Sequence, residues 1–208
     1  MKRRLIVFII VLALAVVSGM AAETTVTAGI DYGAALLTND FFGLQFIGDT
    51  FTYNFIGFNT SVSFFANEFS ANGFFTNFAL QTWESIKIVQ SNGLSITQEV
   101  ASDGPFAGYL MNILAGYIYR FALGDALDLS IGLGGTYQVF IIDTSLYSML
   151  VPFFGAGANA QLSYLLIPSM SLNVWLDGYF GLYDIKTKEF MEEMPITLRP
   201  YISAGFRF

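Results

Sequence analysis

The chain contains no cysteine and no histidine. The first absence rules out disulfides, so an exported protein of this size must be stabilised by a sheet or by a lipid environment. The second removes Ser-His-Asp and Cys-His catalysis and the commonest zinc ligands. Charge is scarce as well, at 12% of residues against roughly 25% in ordinary globular chains. Basic residues are the scarcer sign. Without Lys2, Arg3 and Arg4, six bases remain against sixteen acids, a formal charge of −10. That excludes nucleic acid as a partner, because its phosphates demand a cationic surface. Long hydrophobic runs are missing beyond Val17, although 54% of residues are apolar. A transmembrane helix needs about 20 such residues. An apolar chain without one can still enter a bilayer if its backbone pairs within a closed sheet.

What is present begins with a leader. Lys2, Arg3 and Arg4 precede an apolar run from Leu5 to Val17, followed by Ser18, Gly19, Ala21 and Ala22. Basic, apolar and small-residue regions in that order are a secretory signal peptide. Its 13 apolar residues are too few for a membrane anchor, which needs about 20. Cleavage after Ala21, with Ala22 as the alternative, leaves a single domain over 22–208.

Alternation then dominates. Leu127, Leu129, Ile131, Leu133, Tyr137, Val139 and Ile141 share one phase, with Asp128, Ser130, Gly132, Gly134, Thr136 and Gln138 in the other. Period two over this length predicts a strand. The same pattern predicts eight strands, at 24–36, 51–65, 73–88, 106–122, 127–142, 151–165, 171–185 and 196–208. In the second, Phe51, Tyr53 and Phe55 lie out of phase with Ile56, Phe58, Val62 and Phe64, which predicts a β-bulge near Phe55. Long connections at 37–50, 89–105, 143–150 and 186–195 alternate with short ones at 66–72, 123–126 and 166–170. That alternation, with an even strand count, predicts an all-β, antiparallel up-and-down transmembrane barrel with both termini periplasmic.

A soluble barrel would turn its apolar phase inward. Here the polar phases are rich in Gly, Ser, Thr and Asn, which suits a narrow lumen filled by its own side chains. A water-facing exterior would carry more charge. Aromatic residues gather near the strand ends: Tyr117, Tyr119, Phe121, Phe206 and Phe208 towards one rim, and Tyr32, Phe51, Trp83, Tyr109, Phe154 and Phe180 towards the other. Such girdles belong at a lipid interface.

The terminal segment Tyr201-Ile202-Ser203-Ala204-Gly205-Phe206-Arg207-Phe208 resembles the signal that outer-membrane proteins present to their assembly machinery. Tyr201, Phe206 and Phe208 match it, whereas Ser203 stands where that signal usually has glycine. In layout the chain resembles the small eight-stranded outer-membrane barrels, the group of OmpW, OmpX and the OmpA membrane domain. The resemblance implies outer-membrane lipid and the assembly machinery as partners. It also implies either passage of small hydrophobic molecules or, alternatively, adhesion or envelope interaction with a host surface, or a structural role. Enzymatic barrels of that membrane use histidine, which is absent, so no catalytic residue and no cofactor is expected.

Gly155-Ala156-Gly157-Ala158-Asn159-Ala160 fits the dinucleotide fingerprint, but an alternating strand surrounds it where a helix should follow. Gly132 to Gly135 reads likewise as small lumen-facing residues. Glu189, Glu192 and Glu193 with Lys186 and Lys188 form the densest charge group, expected to be a solvated loop or else a cation or lipopolysaccharide-bridging site.

The informative charges are those inside strands. By phase, Asp31, Arg120, Asp128, Asp177, Arg199 and Arg207 point inward, three acids and three bases, and buried charges must be paired. A three-residue loop Leu123-Gly124-Asp125, with Gly124 left-handed, would set Arg120 opposite Asp128. Pro105, Pro152, Pro195 and Pro200 fall towards the upper strand ends. Pro200 alone lies within a strand, where its missing N–H can open a lateral exit or mark a simple bulge. Apolar loop residues Phe41, Phe42, Leu44, Phe46 and Ile47, with Leu146, Tyr147, Met149 and Leu150, are candidate contacts. The segment 86–100, turning at Ser91-Asn92-Gly93, is expected to extend a hairpin beyond the bilayer.

Overall fold

The computed structural model describes residues 23–38, 50–67, 70–89, 94–99, 106–144, 148–191 and 194–208. The leader 1–21 and the loop residues Phe41, Phe42, Leu44, Phe46 and Ile47 lie outside them, as do Leu146 and Tyr147. No helix occurs among the described residues, so none is long and apolar enough to cross a membrane.

Eight long antiparallel strands form one closed sheet. They are β1 (Glu23–Thr38), β2 (Thr50–Phe65), β3 (Asn72–Val89), β5 (Phe106–Ala122), β6 (Leu127–Thr144), β7 (Ser148–Ile167), β8 (Met170–Asp184) and β10 (Ile196–Arg207). Each pairs with its neighbour in sequence, and β1 pairs with β10 to close the barrel. Closure satisfies every edge, as a sheet in hydrocarbon requires. Two short strands decorate the end with the long connections: β4 (Ser95–Glu99) pairs with β3, and β9 (Glu189–Phe190) with β8. The β3–β4 ladder runs from Ser85↔Glu99 to Val89↔Ser95, the hairpin extension that segment 86–100 foreshadows. Glu23, the first described residue, and Phe208 lie at the other end, called here the short-turn end.

Outside, Ile30, Phe58, Phe74, Leu133, Val174, Leu176 and Ile202 are exposed, whereas inside Asn77, Asn112, Asn173, Asp177 and Arg199 are buried. An apolar exterior around a polar interior is the reverse of a soluble barrel. Tyr117, Tyr119, Phe121, Phe206 and Phe208 ring the short-turn end, and Tyr32, Tyr109, Phe154 and Phe180 the opposite one, all exposed. Trp83 departs from the expected girdle, being 5% exposed and turned into the lumen.

The second strand keeps a single phase. Tyr53, Phe55, Asn59, Ser61 and Ser63 are all buried, so the aromatic residues point inward rather than marking a slip. The register does shift at Asn54/Phe55, but the extra residue is Glu84 on the facing strand, since Asn54 pairs with Ser85 and Phe55 with Trp83.

Candidate functional site

The lumen is built in three layers. At the short-turn end Glu23 on β1, Arg120 on β5, Asp128 on β6 and Arg207 on β10 converge. Arg120 Nη1 donates to Glu23 Oε1 at 2.6 Å, Arg207 Nε lies 3.1 Å from the same oxygen, and Arg207 Nη2 donates to Asp128 Oδ2 at 3.3 Å. Arg120 also lies 4.0 Å over the Phe65 ring and donates to the Ser70 carbonyl. Two acids and two bases compensate each other. A pocket of about 850 Å³ opens beside them, lined by Glu23, Arg207, Leu165, Leu166, Pro168 and Phe208 among others.

This corrects the pairing expected of Arg120 and Asp128. Ala122 pairs with Asp128 and Arg120 with Ser130, while Leu123 donates its N–H to the Leu127 carbonyl at 2.8 Å. The loop does have three residues, but they are Gly124, Asp125 and Ala126, one step further along. Gly124 does not take the left-handed conformation. Arg120 and Asp128 thus sit diagonally and reach different partners. Glu23, missed in the sequence, shares the inward phase of Asp31, and that periodicity could have found it.

The middle layer holds Asp31 on β1, Asp177 on β8 and Arg199 on β10, each with a fully buried side chain. Arg199 Nε is 3.1 Å from Asp31 Oδ2, and its Nη2 is 3.5 Å from Asp177 Oδ2. Arg199 Nη1 donates to the Tyr179 hydroxyl at 2.8 Å, which donates to Asp177 Oδ2 at 2.9 Å. Asn77 Nδ2 reaches Asp177 Oδ2 at 2.6 Å and the Tyr201 hydroxyl at 2.7 Å. Trp175 stacks on Tyr201 with ring centroids 5.2 Å apart and donates to Ser203. These side chains fill the lumen's waist. The six inward charges therefore form two separate groups, with Glu23 as a seventh member, rather than one balanced network.

The third layer, towards the long connections, is apolar. Ala35, Tyr53, Phe55, Trp83, Leu110, Phe140, Val151 and Phe153 form one buried cluster, with Met191 packed against it. Phe140 stacks on Phe153 at 5.6 Å, Tyr53 meets Trp83 at 4.6 Å, and Phe55 meets Phe140 at 6.1 Å. A membrane barrel usually has a polar interior; this cluster is the larger of two apolar ones, the other being Phe65, Phe75, Leu114, Ile118 and Tyr179, between the waist and the short-turn end. Alternation obscured it, because these strands keep apolar residues in both phases.

The wall is irregular at Pro200. The β1–β10 ladder pairs Asp31 with Tyr201 and Ala34 with Leu198, but Tyr32 and Gly33 find no partner on β10. The register is identical on either side, so this is an interruption and not a bulge, whereas the β8 side pairs Pro200 with Leu176 as normal. Proline has no N–H to give. Behind it Gly33 leaves room for Arg199: a Cβ there would lie 2.7 Å from Arg199 Cγ. Pro152 pairs regularly with Val139 within β7, Pro195 precedes β10, and Pro105 lies outside the described residues.

The fingerprint-like Gly155–Ala160 lies wholly inside β7, with no helix after it. Lys186 and Lys188 are exposed in the turn between β8 and β9, where Asp184 accepts the N–H groups of Lys186 and Thr187, and Glu189, also exposed, opens β9. Glu192 and Glu193 lie outside the described residues.

Among solved structures the chain is similar to Ail, the attachment invasion locus protein of Yersinia pestis, at 15% identity and a TM-score of 0.54, covering 91% of this chain and 100% of that one. Neisserial surface protein A shares 14% identity with a TM-score of 0.56 over 88% and 95% of the two chains. The outer-membrane protein OprG of Pseudomonas aeruginosa shares 11% with a TM-score of 0.58 over 91% and 97%. The fold is thus that of the small eight-stranded outer-membrane barrels. No protein-family model and no curated protein matches the chain.

Proposed function

We propose that the protein is an outer-membrane barrel, with its short-turn end and both termini in the periplasm, that receives small hydrophobic molecules in the apolar outer half of its lumen and releases them sideways into lipid. The observation that carries this reading is the apolar cluster around Phe55, Trp83, Phe140 and Phe153 above a sealed waist. A guest arriving from outside meets aromatic rings, and water-soluble solutes gain nothing there. It cannot continue axially, because Arg199, Tyr179 and Trp175 occupy the waist. The interrupted β1–β10 ladder at Pro200 is the candidate exit. A non-catalytic role agrees with the lack of histidine. Tyr201, Phe206 and Phe208 serve on this reading as the assembly signal.

The test uses Trp83 as the reporter. In a Trp175→Phe variant refolded in micelles, a brominated alkane or apolar dye should quench the remaining tryptophan saturably, and a Phe140→Asp substitution should abolish that. Quenching no stronger than for free tryptophan in the same micelles would reject the chamber.

The β3–β4 hairpin favours a second reading, adhesion, by raising a sheet above the barrel rim. Ail has been solved with the heparin analogue sucrose octasulfate. A polyanion is a poor fit here: Lys87, Lys186 and Lys188 are the exposed bases among the described residues, against a formal charge of −7 for the chain.

A further inference from the structure

Three buried amides line the lumen directly beneath its upper apolar cluster. Gln81 on β3, Asn112 on β5 and Gln138 on β6 each stand two residues along the strand from a member of that cluster, Trp83, Leu110 and Phe140 respectively. They are joined in one chain of hydrogen bonds. Gln138 Nε2 donates to Asn112 Oδ1, and Asn112 Nδ2 donates to Gln81 Oε1 at 3.3 Å. Gln81 in turn presents its amide N–H group to the Asp31 carboxyl in the waist.

The direction of this chain follows from its lower end. A carboxyl oxygen accepts, so Gln81 turns its NH2 towards Asp31 and its oxygen towards Asn112. Asn112 must then give with its nitrogen and receive with its oxygen, and the same choice passes to Gln138. What remains at the upper end is an acceptor. Gln138 Oε1 has no partner, although the side chain is fully buried. Buried polar atoms are rarely left so, and a chain of hydrogen bonds polarises its own members. That amide belongs to the floor of the apolar chamber, because Gln138 has Phe153 opposite it on β7 and Phe140 as the next inward residue of its own strand. Trp83 Nε1, a donor within the same cluster, is unpartnered as well.

We propose that the guest of the upper lumen is a neutral hydrophobic alcohol or phenol, whose hydroxyl donates to Gln138 Oε1. This assignment rests on the reading of the upper lumen as a chamber for hydrophobic molecules, and adds the polar group that such a molecule carries. A plain hydrocarbon leaves Gln138 unmet. A carboxylate can only take hydrogen bonds, and so offers nothing to an acceptor. An ammonium can only give them, and leaves the Trp83 N–H unmet. A hydroxyl is the smallest group that does both. Gln138 is then the specificity-determining residue, and Asn112 and Gln81 are positioning residues that keep its oxygen free for the guest.

The experiment uses the mature Trp175→Phe protein refolded in micelles, with Trp83 as the reporter and three chain-matched quenchers: 11-bromoundecan-1-ol, its methyl ether and 1-bromoundecane. Quenching is referred to that of tryptophan octyl ester in the same micelles, which removes differences in partitioning. The alcohol should quench Trp83 saturably, at a mole fraction roughly three- to ten-fold below that needed for the ether or the bromoalkane. Gln138→Leu, which replaces the amide by an apolar side chain of similar size, should remove that preference and leave binding of the bromoalkane. Equal half-saturation by the three quenchers in the Trp175→Phe parent would overturn the assignment while leaving the chamber intact, with water satisfying Gln138. A preference that survives Gln138→Leu would overturn the role of Gln138; should that variant not fold, the comparison in the parent decides alone. Quenching no stronger than the micelle reference by all three would reject the chamber itself, and the hydroxyl site with it.

Discussion

Arg199 of β10 reaches Asp31 of β1 at 3.1 Å, immediately behind the stretch where those two strands fail to pair. A side-chain ion pair thus bridges the seam that the backbone leaves open at Pro200. Removing Arg199 orphans two buried carboxylates. Arg199→Met should destabilise the refolded barrel by about 3–5 kcal/mol, as breaking buried pairs does. The triple variant Arg199→Met, Asp31→Asn, Asp177→Asn should recover most of that loss. Urea midpoints in micelles measure both; a triple variant no better than the single would contradict the ion-pair account.

Pro200→Val restores an N–H facing β1. It should add about one hydrogen bond, worth roughly 0.5–1.5 kcal/mol net, and slow amide exchange at the β1–β10 seam. Unchanged exchange at Tyr32, whose N–H faces β10, would mean that proline is not the cause of the interruption.

At the short-turn end the two acids are not equivalent. Glu23 serves both Arg120 and Arg207, whereas Asp128 serves Arg207 alone. Glu23→Ala should therefore cost more than Asp128→Ala, and a double-mutant cycle should show coupling of Arg120 with Glu23 but little with Asp128. Strong coupling of Arg120 with Asp128 would restore the register expected from the sequence.

Much of this was legible beforehand because barrel strands state their phase plainly. Leu127 to Ile141 alternates as expected, and the expected strand ends lie within a few residues of those observed. Loop register was less legible. A three-residue turn between Ala122 and Leu127 can slide by one without changing any residue's face, so polarity does not choose between the two placements. The apolar half of the lumen was hidden for a related reason. Tyr53 and Phe55 read as a change of phase, and Trp83 as part of a lipid girdle, only on the premise that barrel interiors are polar; the upper lumen breaks that premise, while the irregularity expected near Phe55 is present at Asn54/Phe55. Glu23 precedes the first expected strand, so only its phase, shared with Asp31, marks it as inward.

Those inward tryptophans give a further test. Trp83 and Trp175 are 5% and 1% exposed, so acyl-brominated lipids should quench neither appreciably in refolded proteoliposomes. Strong, depth-dependent quenching of a single-Trp83 variant would return that residue to the lipid girdle.

The most direct measurement of the functional account is uptake of an apolar dye into liposomes bearing wild-type protein, Pro200→Val or Phe140→Asp, each at equal folded density. The account predicts uptake above empty liposomes for the wild type, a several-fold loss in Pro200→Val, where the wall is resealed, and loss in Phe140→Asp, where the chamber is made polar. Equal uptake by wild type and Pro200→Val would contradict lateral release, and no uptake by the wild type would contradict hydrophobic transport itself.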